Sequence, residues 1–269
     1  MTVYPFVVRF GSVAITGYGI MMMVAFLAAG WLFARRLSEQ GTDPGIAWDC
    51  VVAAVLGGLA GAKVYYAVLM ADWGSLLSRG GLVWYGGFLG GSLAVLGLLW
   101  WRRQSVLAMG DAMAPALAAG YVLGRIGCFL VGDDYGRPTD LPWGMAFPQG
   151  SPPTTAGTMQ ALFGIPVPAG VTPEQVLAVH PTQLYEAALA FALFLVLWRL
   201  RATRPGTGWL LGLWFLYSGI ARLLVEVFRA KDDRFFGPFT LAQAISLLVA
   251  AAGLALMARA GKAAPRSAG

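Results

Sequence analysis

Charge is scarce in this sequence. Asp, Glu, Lys and Arg make up 12% of its 269 residues, about half of the ~25% usual in soluble domains. Hydrophobic residues make up 58%, more than a water-soluble fold of this length could hide, which excludes an ordinary globular protein. His180 is the single histidine, and the two cysteines, Cys50 and Cys128, lie in separate apolar runs. A disulfide framework is thereby excluded, and the lone histidine and scattered carboxylates offer no set with metal-ligand spacing, so neither metal nor cofactor is expected. The opening stretch, MTVYPFVVRFGS, lacks the basic segment and small-residue cleavage site of a secretory signal. The first apolar helix is therefore expected to stay in the mature protein, and no lipidation motif is evident. The formal charge of +6 comes from basic residues placed singly and in pairs. With no basic stripe, a nucleic-acid partner is not expected.

What the sequence does contain is a series of apolar runs. A helix needs ~20 apolar residues to span the hydrocarbon core, and seven windows qualify, at 13 to 37, 46 to 70, 82 to 101, 112 to 132, 182 to 201, 208 to 229 and 238 to 258. The expected fold is an all-α polytopic membrane protein, one membrane domain over 1–269 with seven transmembrane helices. With the N-terminus outside, the inner loops and tail hold Arg35, Arg36, Arg102, Arg103, Arg199, Arg201, Arg204, Arg259, Lys262 and Arg266. The outer segments hold Arg9, Arg79, Arg137, Arg229, Lys231 and Arg234. This bias favours an outer N-terminus and a cytoplasmic C-terminus. Residues 133 to 181 carry nine of the fifteen prolines, with GDDYGRPTDLP and QGSPPTT, and are expected to form an external Pro/Gly-rich arm or lid between the fourth and fifth helices. The pairs Gly57 and Gly61, Gly87 and Gly91, and Gly120 and Gly124 have the spacing of close helix packing.

The few charges inside the windows share one depth. Lys63, Arg125 and Arg222 each lie about seven residues from the outer end of a helix, a depth of ~10 Å at 1.5 Å per residue. Glu186 and Glu226 lie slightly nearer the surface, Tyr18 and Tyr85 enter the same layer, and Asp133 and Asp134 cap it. Intramembrane charge is costly, so such residues face one another or a functional cavity. Arg222 and Glu226 suit an i, i+4 ion pair and Glu226 and Arg229 an i, i+3 pair. Three basic groups against two glutamates leave an excess of positive charge, which a lipid phosphate would satisfy.

Three stretches, GRIGCFLVGDDYGRPTDLPWG at 124 to 144, HPTQLYE at 180 to 186 and ARLLVEVFR at 221 to 229, resemble the prolipoprotein diacylglyceryl transferase family of the bacterial inner membrane. The resemblance runs through nearly the whole chain. It implies a transfer of diacylglycerol from phosphatidylglycerol to the lipobox cysteine thiol of a signal-peptide-bearing prolipoprotein, leaving a thioether and releasing glycerol phosphate. Carried over by motif, Arg125 resembles the arginine that holds the phosphatidylglycerol head group and Arg222 a second arginine at the phosphate. Gly136 resembles the signature glycine, Tyr18 the first-helix tyrosine and Glu226 the glutamate one turn after the second arginine. The chain departs from the family pattern at Tyr85, where a histidine is usual, at Cys128 and Val131, where asparagines are usual, and at Asp133, where a glutamate is usual.

The resulting expectation assigns catalysis to Tyr85, Arg222, Asp133 and Glu226, and substrate binding to Arg125, Tyr18, Gly136, Lys63 and His180. The arginines stabilise the leaving phosphate, and the base need not be strong, because a free thiol is already partly ionised at neutral pH. Tyr85 is expected to orient or deprotonate the thiol, its phenolate favoured by the positive layer. His180, before Pro181 at a helix start, is expected to make a local hydrogen bond, and Cys128 is read as a small buried hydrophobe. Two other readings stand beside transfer: a specialised or non-enzymatic anionic-lipid-binding relative, motivated by the four departures, and a small-anion transporter. The transporter ranks last because every charge inside a helix lies in the outer half.

Overall fold

The computed structural model describes residues 1–11, 13–77, 81–167, 170–203, 206–230, 234–236 and 239–263. The chain forms two compact units, one from Met1–Ala28 with Ala114–Gly269, the other from Ala29–Met113. The fold is mostly helical, with two short hairpins that the all-α expectation did not include. Strands β1 (Val7–Phe10) and β2 (Val13–Thr16) pair antiparallel, Val7 opposite Thr16. Residues 13–16 thus belong to a hairpin rather than to the first helix. Ile15 and Thr16 are β-branched and pair with Val8 and Val7, so pairing overrides helix continuation.

Helices α1 (Gly17–Glu39), α2 (Gly45–Met70), α3 (Trp84–Trp101), α4 (Val106–Val131), α5 (Ala156–Phe163), α6 (Thr182–Leu200), α7 (Trp209–Glu226) and α8 (Leu241–Ala263) follow, with β3 (Arg234–Phe236) and β4 (Phe239–Thr240) before the last. Among the described residues six helices, all but α3 of the long ones, are long and apolar enough to cross a membrane. The chain is a polytopic membrane protein. Large apolar side chains such as Leu59, Leu93 and Leu248 point outward, as lipid contact requires.

Several helix ends differ from the expected windows. α4 starts at Val106 rather than 112, because the Ser105 hydroxyl accepts the Ala108 amide and caps it. α7 stops at Glu226, which leaves Arg229 outside the helix. α8 starts after Thr240, whose side chain accepts the Gln243 amide while the Gln243 side chain accepts the Thr240 amide, a reciprocal cap.

Within the second unit, α2 and α3 meet along glycine. A Cβ on Gly61 would lie 2.3 Å from the Gly86 carbonyl oxygen, and one on Gly90 2.3 Å from that of Gly57. Backbones this close exclude every side chain. The expected Gly57 and Gly61 face is present, but its partners are Gly86 and Gly90. Gly87 and Gly91 sit at looser distances of 3.5 and 3.1 Å to the facing carbonyls, and Gly124 has open space around it, so no close contact explains that glycine. Arg102 and Asp49 form an ion pair in this unit.

Within the first unit, α7 and α8 share a similar seam, where a Cβ on Gly219 would meet the Ser246 carbonyl at 2.5 Å. Ala114 and Ala118 of α4, Leu193 and Leu197 of α6, and Leu210 of α7 form one buried cluster. The described residues between 133 and 181 pack around a small core of Tyr135, Phe147, Met159 and Val179, and include α5. Their proline content does not prevent packing, because side-chain bonds replace missing backbone ladders: buried Thr154 accepts the Phe147 amide at 2.9 Å and the Tyr135 hydroxyl donates to the Pro152 carbonyl at 2.8 Å.

Candidate active site

The three sequence motifs converge in the first unit. The α4 motif ends in a tight bend, with Gly132 at φ 69° and Asp134 at φ 54°. Asp tolerates the left-handed region better than most residues, and here the bend delivers its carboxylate back toward α4. The start of α6 fastens this bend: the Thr182 hydroxyl donates to the Asp134 carbonyl at 2.7 Å and the Gln183 amide to the Asp133 carbonyl at 2.5 Å. Gly136 then passes between two other segments. Its amide donates to the His180 carbonyl at 2.8 Å, and the next amide, of Arg137, donates to the Phe228 carbonyl at 2.8 Å. A Cβ on Gly136 would lie 2.4 Å from that Phe228 oxygen and 2.7 Å from the His180 Cβ. The signature glycine is therefore a point of backbone convergence that tolerates no side chain.

Around this junction the charged side chains close into a ring. Arg125 on α4 donates through Nη1 to Asp134 Oδ2 at 2.8 Å. Arg229 Nη2 holds the other oxygen of Asp134 at 2.7 Å. Arg229 Nε faces Glu226 Oε2 at 3.8 Å, and Arg222 Nη2 meets the same oxygen at 2.8 Å. Glu186 completes the circuit, with Oε1 on Arg222 Nη1 at 3.2 Å and Oε2 on Arg125 Nε. Three guanidinium groups thus alternate with three carboxylates. Arg125 and Arg222 are each held by two carboxylates, so the charges balance within the ring; Lys63, the third base of the expected excess, lies in the second unit.

Electrostatics differ sharply between the two adjacent aspartates. Burial alone would raise Asp134, but Arg229 and Arg125 hold it down at about 2. Burial pushes Asp133 up to about 6 against the lowering hydrogen bond from the Cys128 thiol, and its buried Oδ1 has no hydrogen-bond partner among the described residues. Burial would lower Arg229, yet Asp134 raises it above its ordinary value, and burial lowers His180, which is neutral at pH 7. His180 Nδ1 pairs with the Tyr185 hydroxyl at 3.2 Å, which also accepts from Trp143 at 2.8 Å, a local bond of the kind expected.

Cys128, Asp133 and Asp134 bring donor atoms within 4.8 Å of one another, a set that sequence spacing did not suggest. A cation there would face Arg125 and Arg229, which already occupy both Asp134 oxygens, so the arrangement disfavours a metal. Tyr18 of α1 faces α4 at Gly127 and is exposed. Lys63 and Tyr85 belong to the second unit. There the Lys63 ammonium donates to the Ser75 carbonyl at 3.3 Å, and Tyr85, 48% exposed, stands edge-on to Trp84.

Two members of the site escaped sequence reasoning. Arg229 was read only as an outer-segment cation and an i, i+3 neighbour of Glu226; its place at the end of the third motif was the available signal. Tyr121, one helical turn before Arg125, donates to Glu186 Oε2 at 2.8 Å while the Arg125 guanidinium stacks 5.0 Å over its ring.

The sequence profile described as prolipoprotein diacylglyceryl transferase matches residues 5–259. The chain belongs to this family. Among its relatives, the phosphatidylglycerol–prolipoprotein diacylglyceryl transferase of Pseudoalteromonas translucida (strain TAC 125) is 32% identical over 273 residues, covering 94% of this chain and 91% of the relative. The protein of the same name from Solidesulfovibrio magneticus (strain ATCC 700980 / DSM 13731 / RS-1) is 33% identical over 279 residues, covering 95% and 94%. That from Methylocella silvestris (strain DSM 15510 / CIP 108128 / LMG 27833 / NCIMB 13906 / BL2) is 33% identical over 277 residues, covering 94% and 92%. In this family member, Arg125, Arg222 and Glu226, carried over from the motifs, form the ring together with Glu186, Arg229 and Asp134, and Gly136 lies at the junction that supports it.

Proposed function

We propose that the protein transfers diacylglycerol from phosphatidylglycerol to the lipobox cysteine of prolipoproteins in the bacterial inner membrane. The observation that carries this reading is the ring: Arg125 and Arg222 present guanidinium forks side by side, suited to the non-bridging oxygens of one phosphodiester. The cysteine sulfur bonds to the glyceryl carbon as that carbon's bond to the phosphate oxygen breaks. Glycerol phosphate leaves with the electron pair, its charge stabilised by Arg125 and Arg222. Glu226 and Arg229 hold Arg222 and Asp134 in place, Gly136 supports the junction, and Tyr18, Lys63 and His180 contribute to binding the lipid.

The thiol proton passes to Asp133, a carboxylate at about 6 that is mostly ionised at pH 7 and has an oxygen to spare. Tyr85, at the position of the family histidine, orients the incoming thiol. The chain spans the membrane seven times, α3 included, with the N-terminus outside and the C-terminus in the cytoplasm, and residues 133–181 form an external arm over the site. The Lys/Arg bias supports this orientation, and the Trp84, Tyr85, Trp100 and Trp101 ends of α3 suit two interfaces.

Incubating the purified protein with phosphatidylglycerol and a lipobox peptide should yield the thioether by mass. Arg125→Ala and Arg222→Ala should abolish it, with lysine a poor substitute. The parent rate should rise as pH passes about 6, and Asp133→Asn should remove that limb and cost on the order of 10²-fold. Tyr85→Phe should cost less. A parent that retains phosphatidylglycerol without making thioether would support the lipid-binding reading instead.

A further inference from the structure

Glu186 is the one carboxylate of the ring that touches both Arg125 and Arg222. Its two oxygens take one guanidinium each, Arg222 Nη1 at 3.2 Å from Oε1 and Arg125 Nε on Oε2. The remaining contacts of these arginines run to different acids, Arg125 to Asp134 at 2.8 Å and Arg222 to Glu226 at 2.8 Å. A bridging carboxylate of this kind has the chemistry of a phosphodiester, two anionic oxygens spread across two forks. The ring is also balanced in charge. An anion added to it inside a low-dielectric bundle would meet repulsion from the carboxylates already there, unless one of them withdraws.

We infer that the Glu186 carboxylate holds the place of the substrate phosphate, and that the phosphate of an anionic lipid must displace it from Arg125 and Arg222 to bind. Tyr121 is the catch for the displaced group. Its hydroxyl already donates to Glu186 Oε2 at 2.8 Å, from the same helix as Arg125. When the guanidinium leaves Oε2, that hydroxyl keeps the oxygen satisfied. A hydrogen bond matters most where it is the last one available to a buried charge. Glu186 is 4% exposed, so water is a poor replacement. In this arrangement Tyr121 and Glu186 are positioning residues that set how tightly the two arginines accept phosphate. The inference rests on the reading of those arginines as the phosphate site.

The test is binding, kept separate from turnover. Affinity for glycerol phosphate in solution and for phosphatidylglycerol in detergent micelles is measured for the parent, Glu186→Gln, Tyr121→Phe and the double variant, with diacylglycerol as the uncharged control. Glu186→Gln keeps the size and the bond to Tyr121 but removes the competing charge. It should bind the phosphate probes about tenfold or more tighter, the scale of one competing ion contact, while diacylglycerol binding stays unchanged. A gain on both probes identifies the phosphate itself as the competitor, and a gain on micelles alone identifies the lipid head group. Tyr121→Phe should bind phosphate a few-fold more weakly, and this effect should vanish in the double variant. Equal or weaker phosphate binding by Glu186→Gln at unchanged melting temperature overturns the inference. If Glu186→Gln does not fold, unchanged or tighter binding by Tyr121→Phe overturns it. A parent that makes no thioether while Glu186→Gln gains phosphate affinity would refute the proposed transfer and leave the competition standing. A parent that makes thioether with no gain in Glu186→Gln would do the reverse.

Discussion

Replacing Asp134 by Asn removes one charge from the ring and little else. Asn tolerates the positive φ of 54° at this position as Asp does, so the bend survives. Two quantities set the cost. Lowering a carboxyl from roughly 3.9 to about 2 corresponds to roughly 2.5 kcal/mol of preference for its charged form. With 41% of the side chain exposed, solvent screening reduces that to about 1 kcal/mol. Arg229 adds the second part. Its side chain is 9% exposed, and without Asp134 its nearest carboxylate is Glu226 at 3.8 Å. A fully stranded buried charge costs about 3 to 5 kcal/mol, and the remaining Glu226 contact and the Asn carbonyl offset most of it, so the variant should lose about 2 kcal/mol at pH 7. The dependence on pH is specific. Asp134 is depressed in the folded state, so its contribution is complete above about pH 4 and is lost as pH falls toward 2. Asp133 is raised, so its burial costs stability above about pH 6 and the cost is relieved as pH falls from 6 to 4. Denaturation in detergent across pH 2 to 7 should therefore show parent and Asp134→Asn converging at the acid end. Equal stability at pH 7, or a gap that persists at pH 2, would refute the ring as a stabilising unit.

Gly136→Ala should misplace all three motifs, because its Cβ would press on the Phe228 carbonyl at 2.4 Å; a loss of about 3 kcal/mol and of transfer is expected, read by melting and by the thioether assay. Gly61→Ala should separate α2 from α3, whereas Gly124→Ala, with open space around it, should melt like the parent. Single cysteines at Gly150 and Arg79, the latter outside the described residues, should react with an impermeant thiol reagent from outside, while one at Gln104 should not. Labelling of Gln104 alone would reverse the proposed orientation.

The helices were legible because runs of ~20 apolar residues have few alternatives. Where the run began was less so: from Val13 to Ala34 no charged residue interrupts the sequence, and periodicity alone does not separate the strand at Val13–Thr16 from the helix after it. The glycine seam was half legible, since the doublets at 86–87 and 90–91 offer two registers and only the facing α2 selects one. Depth placed Arg125, Arg222, Glu186 and Glu226 in one layer, and motif resemblance added Gly136. The contact that closes the ring, Arg229 to Asp134, joins residues 95 positions apart and has no local spacing to reveal it. The surplus in the count by depth came from Lys63, which shares that depth along its helix but belongs to the second unit and not to the ring.

The stretch before α1 is tied to residues made much later. The Val3 amide donates to the Ala146 carbonyl at 2.9 Å, the Phe6 amide to that of Leu130 at 2.8 Å, and Gly17 in turn to Phe6 at 2.7 Å. The unit that contains them is assembled from two separate stretches, whereas residues 29–113 are continuous. A ribosome therefore delivers everything the continuous unit needs before the leading segment meets its partners. During synthesis the Val3 and Phe6 amides of that segment wait through four helices for their partners. Arresting translation after residue 113 should leave α2 and α3 already protected from proteolysis while residues 1–16 remain cleavable.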